Sequence, residues 1–298
     1  MRRLVLLLAL ALPLSAATFK SHDGTTLHYD VIGKGEPVLL LSGGPGFSPD
    51  YLRPIAEKLG DKYKFVLLHQ RGTGKSVIET YDANAISLKN LVGDVEALRR
   101  ELQIEKLTIA GHSFGGILSM MYAREHPERV GALALIDSGG PTLKTVMKFN
   151  ANLESRFTDE DRALIKQWSD PERMKENRPR AALELTKAKA PAYFADRSKS
   201  RLLTDPMDVT SFHSGVFYSV VPQMMGLDIR AGLEKVKAPV LVLHGKQDPL
   251  ESADEVHETF PGSKLEFLEN AGHFPWLEQP DAFYAVLGGF LGGLDSCH

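Results

Sequence analysis

The chain has 298 residues, of which 43% are hydrophobic and 24% charged, with a formal net charge of −3 and one cysteine. The apolar share is enough for a large core, which excludes disorder as the main state, and there is no basic surplus, so no nucleic acid partner is expected. The lone Cys297 excludes a disulfide framework, a paired-cysteine redox centre and any zinc site with two thiolate ligands.

Arg2 and Arg3 precede the apolar run Leu4–Leu14, and Ser15, Ala16 and Ala17 follow as small residues. This pattern predicts an export signal peptide over residues 1–17, cut near Ala17, and a periplasmic or secreted protein. The run is shorter than the roughly 20 residues a spanning helix needs, so no membrane association is expected after the cut.

Thr18 to Ile32 alternates around Asp23-Gly24, which predicts a hairpin and an antiparallel start to the sheet. Val38–Leu41, Phe65–Leu68, Leu107–Ala110, Ala132–Ile136 and Val240–Leu243 are short, nearly continuous apolar runs. Strands buried on both faces of a parallel sheet have this character. Between them, Leu88, Leu91, Val95, Leu98 and Leu102 recur at helical spacing, and Ile117–Arg124 suits a second helix closed by His126-Pro127. The alternation predicts an α/β fold with a mostly parallel sheet flanked by helices. Residues 141–235 break the rhythm: they are rich in charge, carry five prolines from Pro171 to Pro222, and contain no buried-strand run. They are expected to form a helical cap inserted into a core made of residues 18–140 and 236–298.

Gly111-His112-Ser113-Phe114-Gly115 fits G-x-S-x-G between an expected strand and an expected helix, the setting of a nucleophile elbow. A serine hydroxyl is a weak nucleophile and needs a base. Asp248 falls in the loop after Val240–Leu243, and His273 follows the expected strand Lys264–Leu268. At the carboxyl ends of parallel strands the three can converge, so Ser113, Asp248 and His273 are the expected catalytic residues. His273 would take the Ser113 proton, and Asp248 would orient the imidazole; Asp137, after Ala132–Ile136, is the alternative acid. The oxyanion hole is expected from the backbone N–H groups of Phe114 and Gly44, since Pro45 has none to offer. Activity should fall as pH drops through roughly 6–7, as His273 is protonated.

Gly72-Thr73-Gly74-Lys75-Ser76 looks like the end of a phosphate-binding loop, but His69 stands where the first glycine is required. His257-Glu258 begins like a zinc helix, but Pro261 occupies the place of the second histidine. No cofactor and no metal are therefore expected. His69, His112 and His244 are expected to be hydrogen-bonded structural residues, and Arg71 to order its own loop. Phe274 and Trp276 should pack beside His273, and Met224-Met225 should join the core.

The elbow, the chain order Ser113, Asp248, His273, and Gly272-His273 followed by Glu278 and Pro280 resemble the α/β-hydrolases over about residues 20–295. Within that superfamily the chain resembles the proline iminopeptidase group. Gly43-Gly44-Pro45-Gly46 is similar to the tail of that group's HGGPG, and Gln70-Arg71-Gly72-Thr73-Gly74-Lys75-Ser76 to the tail of its DQRGxGxS. Ser42 replaces the first histidine, His69 replaces the aspartate, and residues 111–116 read GHSFGG where the group has GGSWGS, a form commoner among esterases. The resemblance implies an α/β-hydrolase fold and a serine hydrolase working through an acyl-enzyme. It also implies an aminopeptidase that releases N-terminal residues, its cap carboxylates binding the substrate's ammonium group; Glu154, Glu160, Glu172, Glu176 and Glu184 are available. The alternative is a carboxylic-ester hydrolase acting on small acyl esters. The partner is thus a small molecule or a short peptide, and the oligomeric state is left open.

Overall fold

The computed structural model describes residues 14–295. Most of the expected signal peptide, residues 1–13, lies outside the described residues. Strands β1 (Leu14–Lys20) and β2 (Thr26–Gly33) form the hairpin, with Lys20 opposite Thr26. Its turn is held by the Thr25 N–H donating to Asp23 Oδ1 at 3.0 Å, while Gly24 takes φ 85°. A cut after Ala17 would remove the half of β1 that faces Tyr29 to Ile32 and leave Thr18–Lys20.

Strand and helix then alternate: β3 (Glu36–Leu41), α1 (Arg53–Leu59), β4 (Tyr63–His69), α2 (Leu88–Glu101), β5 (Leu107–His112), α3 (Phe114–Glu125) and β6 (Val130–Ile136). Between β6 and the next strand come α4 (Leu143–Ser155), α5 (Asp159–Trp168), α6 (Pro171–Glu176), α7 (Arg178–Lys189), α8 (Arg201–Thr204) and α9 (Ser214–Val220). The chain closes with β7 (Val240–Gly245), α10 (Ala253–Thr259), β8 (Lys264–Leu268), α11 (Pro275–Glu278) and α12 (Pro280–Asp295). The sheet runs in the order β1-β2-β4-β3-β5-β6-β7-β8; β2 is antiparallel to both neighbours and the other pairs are parallel.

Each expected strand is present, because an apolar run with period-two side chains can bury both faces. Leu39, Leu41, Val66, Leu68 and Ile109 pack on one side with Leu91, Val95 and Leu98 of α2. Val38, Leu40, Phe65, Leu67 and Ala110 pack on the other with Ile55 of α1 and Phe283 and Leu287 of α12. Residues 141–235 add no strand to this sheet; helices and short turns fill them. Of the two methionines expected in the core, Met224 is buried, but Met225 is 67% exposed at the turn that follows. Among the described residues no helix is long and apolar enough to cross a membrane.

Arg71 orders its loop as expected. Its guanidinium is buried between two carboxylates, Asp94 (Nε to Oδ2 3.0 Å, Nη2 to Oδ1 2.6 Å) and Asp23 (Nη1 to Oδ2 2.6 Å, Nη2 to Oδ1 3.2 Å). The loop after β4 is thereby tied to the first hairpin and to α2 at once.

Candidate active site

Ser113 sits between β5 and α3 with φ 55° and ψ −116°, a backbone region that side chains rarely adopt. Two residues before and after it, only glycine fits. A Cβ on Gly111 would lie 2.4 Å from the Gly115 carbonyl oxygen, and one on Gly115 would lie 2.2 Å from the Leu41 carbonyl oxygen. The Ser113 N–H donates to the Ile136 carbonyl at 3.0 Å, which pins the elbow to the end of β6. Phe114 begins the helix, so its N–H belongs to the first turn, where no intrahelical acceptor exists and the helix dipole is positive.

Asp248 and His273 meet as expected. His273 Nδ1 donates to Asp248 Oδ2 at 2.8 Å, and the Leu250 N–H donates to Asp248 Oδ1 at 2.8 Å. This leaves Nε2 of a neutral imidazole as the basic nitrogen. The inserted segment holds the base in place, since the His273 N–H donates to the Tyr193 carbonyl at 2.8 Å. Glu278 adds a clamp, its Oε2 accepting from the Gly272 N–H at 2.6 Å and its Oε1 from the Asp196 N–H at 2.9 Å. Ser113 and His273 line one cavity. No hydrogen bond joins their side chains among the described residues; such bonds commonly tighten only when substrate is bound.

Asp137 is not the acid that touches His273. It is fully buried after β6, with φ 41°, and its Oδ1 accepts from the Gly245 N–H at 2.8 Å. Ligating atoms of Asp137, His244 and Asp248 nevertheless lie within 4.8 Å of one another. Two buried carboxyls this close do not both ionise. Burial, and then the neighbouring charge of Asp248, pushes Asp137 well above the carboxylate range. Burial raises Asp248 too, to about 8, against hydrogen bonds from Asp137 and the Leu250 N–H. Asp137 is thus the first of the pair to hold a proton, and Asp248 is the carboxyl that ionises toward His273. His244 Nε2 donates to the Leu250 carbonyl at 2.7 Å, and burial pushes its pKa down to about 4.

Burial also pushes His273 down, to about 3. A base that resists protonation stays active at lower pH, so the acid limb expected at pH 6–7 is displaced downward. On an uncharged ester, kcat/KM should hold to about pH 6 and fall with an apparent pKa below about 6.5, the ordinary histidine value. A profile from pH 4 to 9 whose midpoint lies above that value would contradict the burial argument.

On the oxyanion side a chain of three hydrogen bonds reaches the base. The Gly43 N–H donates to Tyr51 Oη at 2.7 Å, Tyr51 Oη pairs with His112 Nδ1 at 2.8 Å, and His112 Nε2 pairs with the His273 carbonyl at 2.8 Å. A carbonyl only accepts, so His112 Nε2 donates and its Nδ1 accepts the Tyr51 hydroxyl proton. Burial raises the Tyr51 phenol and holds the His112 imidazole well below its usual pKa, which keeps both neutral. Gly43 is thus occupied. Gly44, which also lines the cavity, has an N–H with no acceptor among the described residues. His112 was expected to be structural and is hydrogen-bonded. Tyr51 carries no motif, and nothing short of the folded contact marks it. Tyr51→Phe would strand both the Gly43 N–H and His112 Nδ1, at a cost of about 1–3 kcal/mol. Thermal melts and kinetics should show a lower Tm and a lower kcat; an unchanged kcat would remove Tyr51 from the site's support.

The cavity beside Ser113 holds about 240 Å³. Its walls come from Phe47 and Gly44 of the loop after β3, from Phe149 and Leu153 of α4, from Leu185 of α7 and from Phe217 of α9. Phe274 stands edge-on to His273 with centroids 5.3 Å apart, whereas Trp276 packs on His112 behind it at 4.9 Å. Among the described residues Lys189 is the cavity's one lining Lys or Arg, and no Asp or Glu lines it. Glu154, Glu160, Glu172, Glu176 and Glu184, the expected ammonium ligands, are therefore all outside its wall. A larger hollow of about 830 Å³ lies at the amino ends of the strands, around Glu36, Lys106 and Pro239, and among the described residues its lining has no serine, cysteine or histidine.

The family model for the alpha/beta hydrolase fold matches residues 36–280. An AB hydrolase superfamily protein of Bacillus subtilis is 27% identical over 88% of this chain and 93% of its own length. A proline iminopeptidase of Saccharolobus solfataricus is 24% identical over 88% of this chain and 87% of its own. Among solved structures, an esterase from Rhodococcus superposes with a TM-score of 0.70 at 21% identity, covering 94% of this chain and 99% of that one, a likeness of fold.

Proposed function

Because the chain belongs to the alpha/beta hydrolase fold family and is a hydrolase, we propose that it cleaves carboxylic esters through an acyl-Ser113 intermediate. Its relatives include proline iminopeptidases, and its fold neighbours include esterases. One observation favours the ester. An aminopeptidase has to hold a substrate ammonium, which calls for a carboxylate, and the cavity that Ser113 faces has none in its lining among the described residues. Its aromatic and aliphatic wall suits an acyl chain instead.

The Ser113 hydroxyl attacks the ester carbonyl carbon while its proton passes to His273 Nε2. Asp248 stabilises the imidazolium so formed. The carbonyl oxygen becomes an oxyanion that accepts from the N–H groups of Gly44 and Phe114. Collapse of this adduct expels the alcohol oxygen, which takes the proton from His273. Water then gives a proton to His273 as it attacks the acyl carbon, and collapse of this second adduct releases the carboxylic acid while His273 returns the proton to Ser113 Oγ.

The test is a comparison of kcat/KM on p-nitrophenyl butyrate, proline p-nitroanilide and other aminoacyl anilides. Ester cleavage with little or no anilide cleavage supports the reading. Preference for anilides with a free amine over the ester would reverse it in favour of the aminopeptidase.

A further inference from the structure

Lys189 is the last residue of α7 and reaches the cavity that Ser113 and His273 also line. Among the described residues the rest of that wall is uncharged, since burial keeps His112 and His273 neutral. No salt bridge or hydrogen bond from its ammonium is formed among the described residues, and Glu154 acts on it only through its field. Burial lowers the Lys189 pKa, so the ammonium is partly stripped of water without gaining a partner. The carboxyl end of a helix favours a cation by its dipole, which explains why the charge is tolerated there but leaves its hydrogen-bonding capacity unused. A half-desolvated cation in an apolar wall is a place where an anion gains more than it would in water.

We propose that Lys189 is a specificity-determining residue that selects esters carrying a carboxylate at the end remote from the ester bond. This rests on the ester-hydrolase reading of the same cavity. The ammonium would pair with the substrate's carboxylate while the intervening methylenes lie against Leu153, Leu185 and Phe217. A volume of about 240 Å³ limits the ligand to a small molecule, such as the half-ester of a short dicarboxylic acid or the ester of a short hydroxy acid. The first places the anion on the acyl part and the second on the alcohol part.

The experiment measures kcat/KM for wild type, Lys189→Met and Lys189→Arg on two pairs. Monomethyl adipate and dimethyl adipate test the acyl side; 6-acetoxyhexanoate and its methyl ester test the alcohol side. The wild type should favour the charged member of one pair. In Lys189→Met that charged-to-neutral ratio should fall about 10- to 100-fold, chiefly through KM, which is the scale of one hydrogen bond to a charged group. Lys189→Arg should keep most of it. The pair that responds identifies the side on which the anion sits. Neutral esters cleaved with no charge preference in the wild type, or with a ratio that Lys189→Met leaves unchanged, overturn the proposal and spare the ester reading. Cleavage of aminoacyl anilides with none of the four esters cleaved overturns both.

Discussion

Ser113→Ala is expected to lower kcat for ester hydrolysis by about a million-fold, the scale on which a serine nucleophile acts together with its base. The fold should not suffer. Alanine keeps the Cβ, so the elbow backbone at φ 55° is no more strained than before, and the Ser113 N–H still donates to Ile136. The hydroxyl makes no hydrogen bond among the described residues that the change would break. His273→Ala should cost a similar amount, because nucleophile and base work as one unit. The check is a progress curve at high enzyme concentration beside a thermal melt. A loss of only about tenfold with an unchanged Tm would mean that another group attacks the ester.

Arg71→Met carries the largest expected effect on stability. The Arg71 side chain is 2% exposed and Asp94 1%, with Asp23 at 34%. Removing the cation leaves two carboxylates facing each other, with the Ser21 hydroxyl donating to Asp94 and the Thr25 N–H to Asp23 as their remaining partners. Breaking a buried pair in this way costs about 3–5 kcal/mol, which at roughly 2–4 °C per kcal/mol for a domain of this size lowers Tm by about 6–20 °C. The pH dependence follows from the signs. Arg71 holds the Asp23 carboxyl below its usual range, so the wild-type gain is present above the unfolded carboxylate pKa, near 4, and is lost in acid. In the variant, burial without a partner raises both carboxyls, and acid relieves their repulsion. The gap in Tm should therefore narrow as pH falls from 7 toward 4. Scanning calorimetry at several pH values measures it; a shift under about 2 °C at pH 7 would show that the cluster contributes little.

The sheet was legible because its strands are buried on both faces and read as apolar runs. The elbow was legible because two glycines flank a serine where nothing larger fits. Asp248 and His273 were found by their places after strands in the expected chain order. What was not legible depends on contacts between segments far apart in the chain. Tyr51 joins residues 43, 112 and 273, and no local pattern marks a tyrosine that does so. Asp137 could be placed after β6, but not close enough to Asp248 to take its proton. The five glutamates of the inserted segment are plain in the sequence, but which helix faces meet the cavity is not, and the face that meets it presents Lys189. Helix spacing fixes which residues share a face, whereas the packing of short, proline-interrupted helices decides where that face points.

Acyl transfer by this route runs through one hydroxyl, that of Ser113. A fluorophosphonate that traps serine nucleophiles, titrated against ester hydrolysis and located by peptide mass spectrometry, tests it most directly. One equivalent of label is expected, on Ser113, with activity lost in proportion to labelling. Label on any other residue, or full ester hydrolysis by the protein labelled at Ser113, would contradict it.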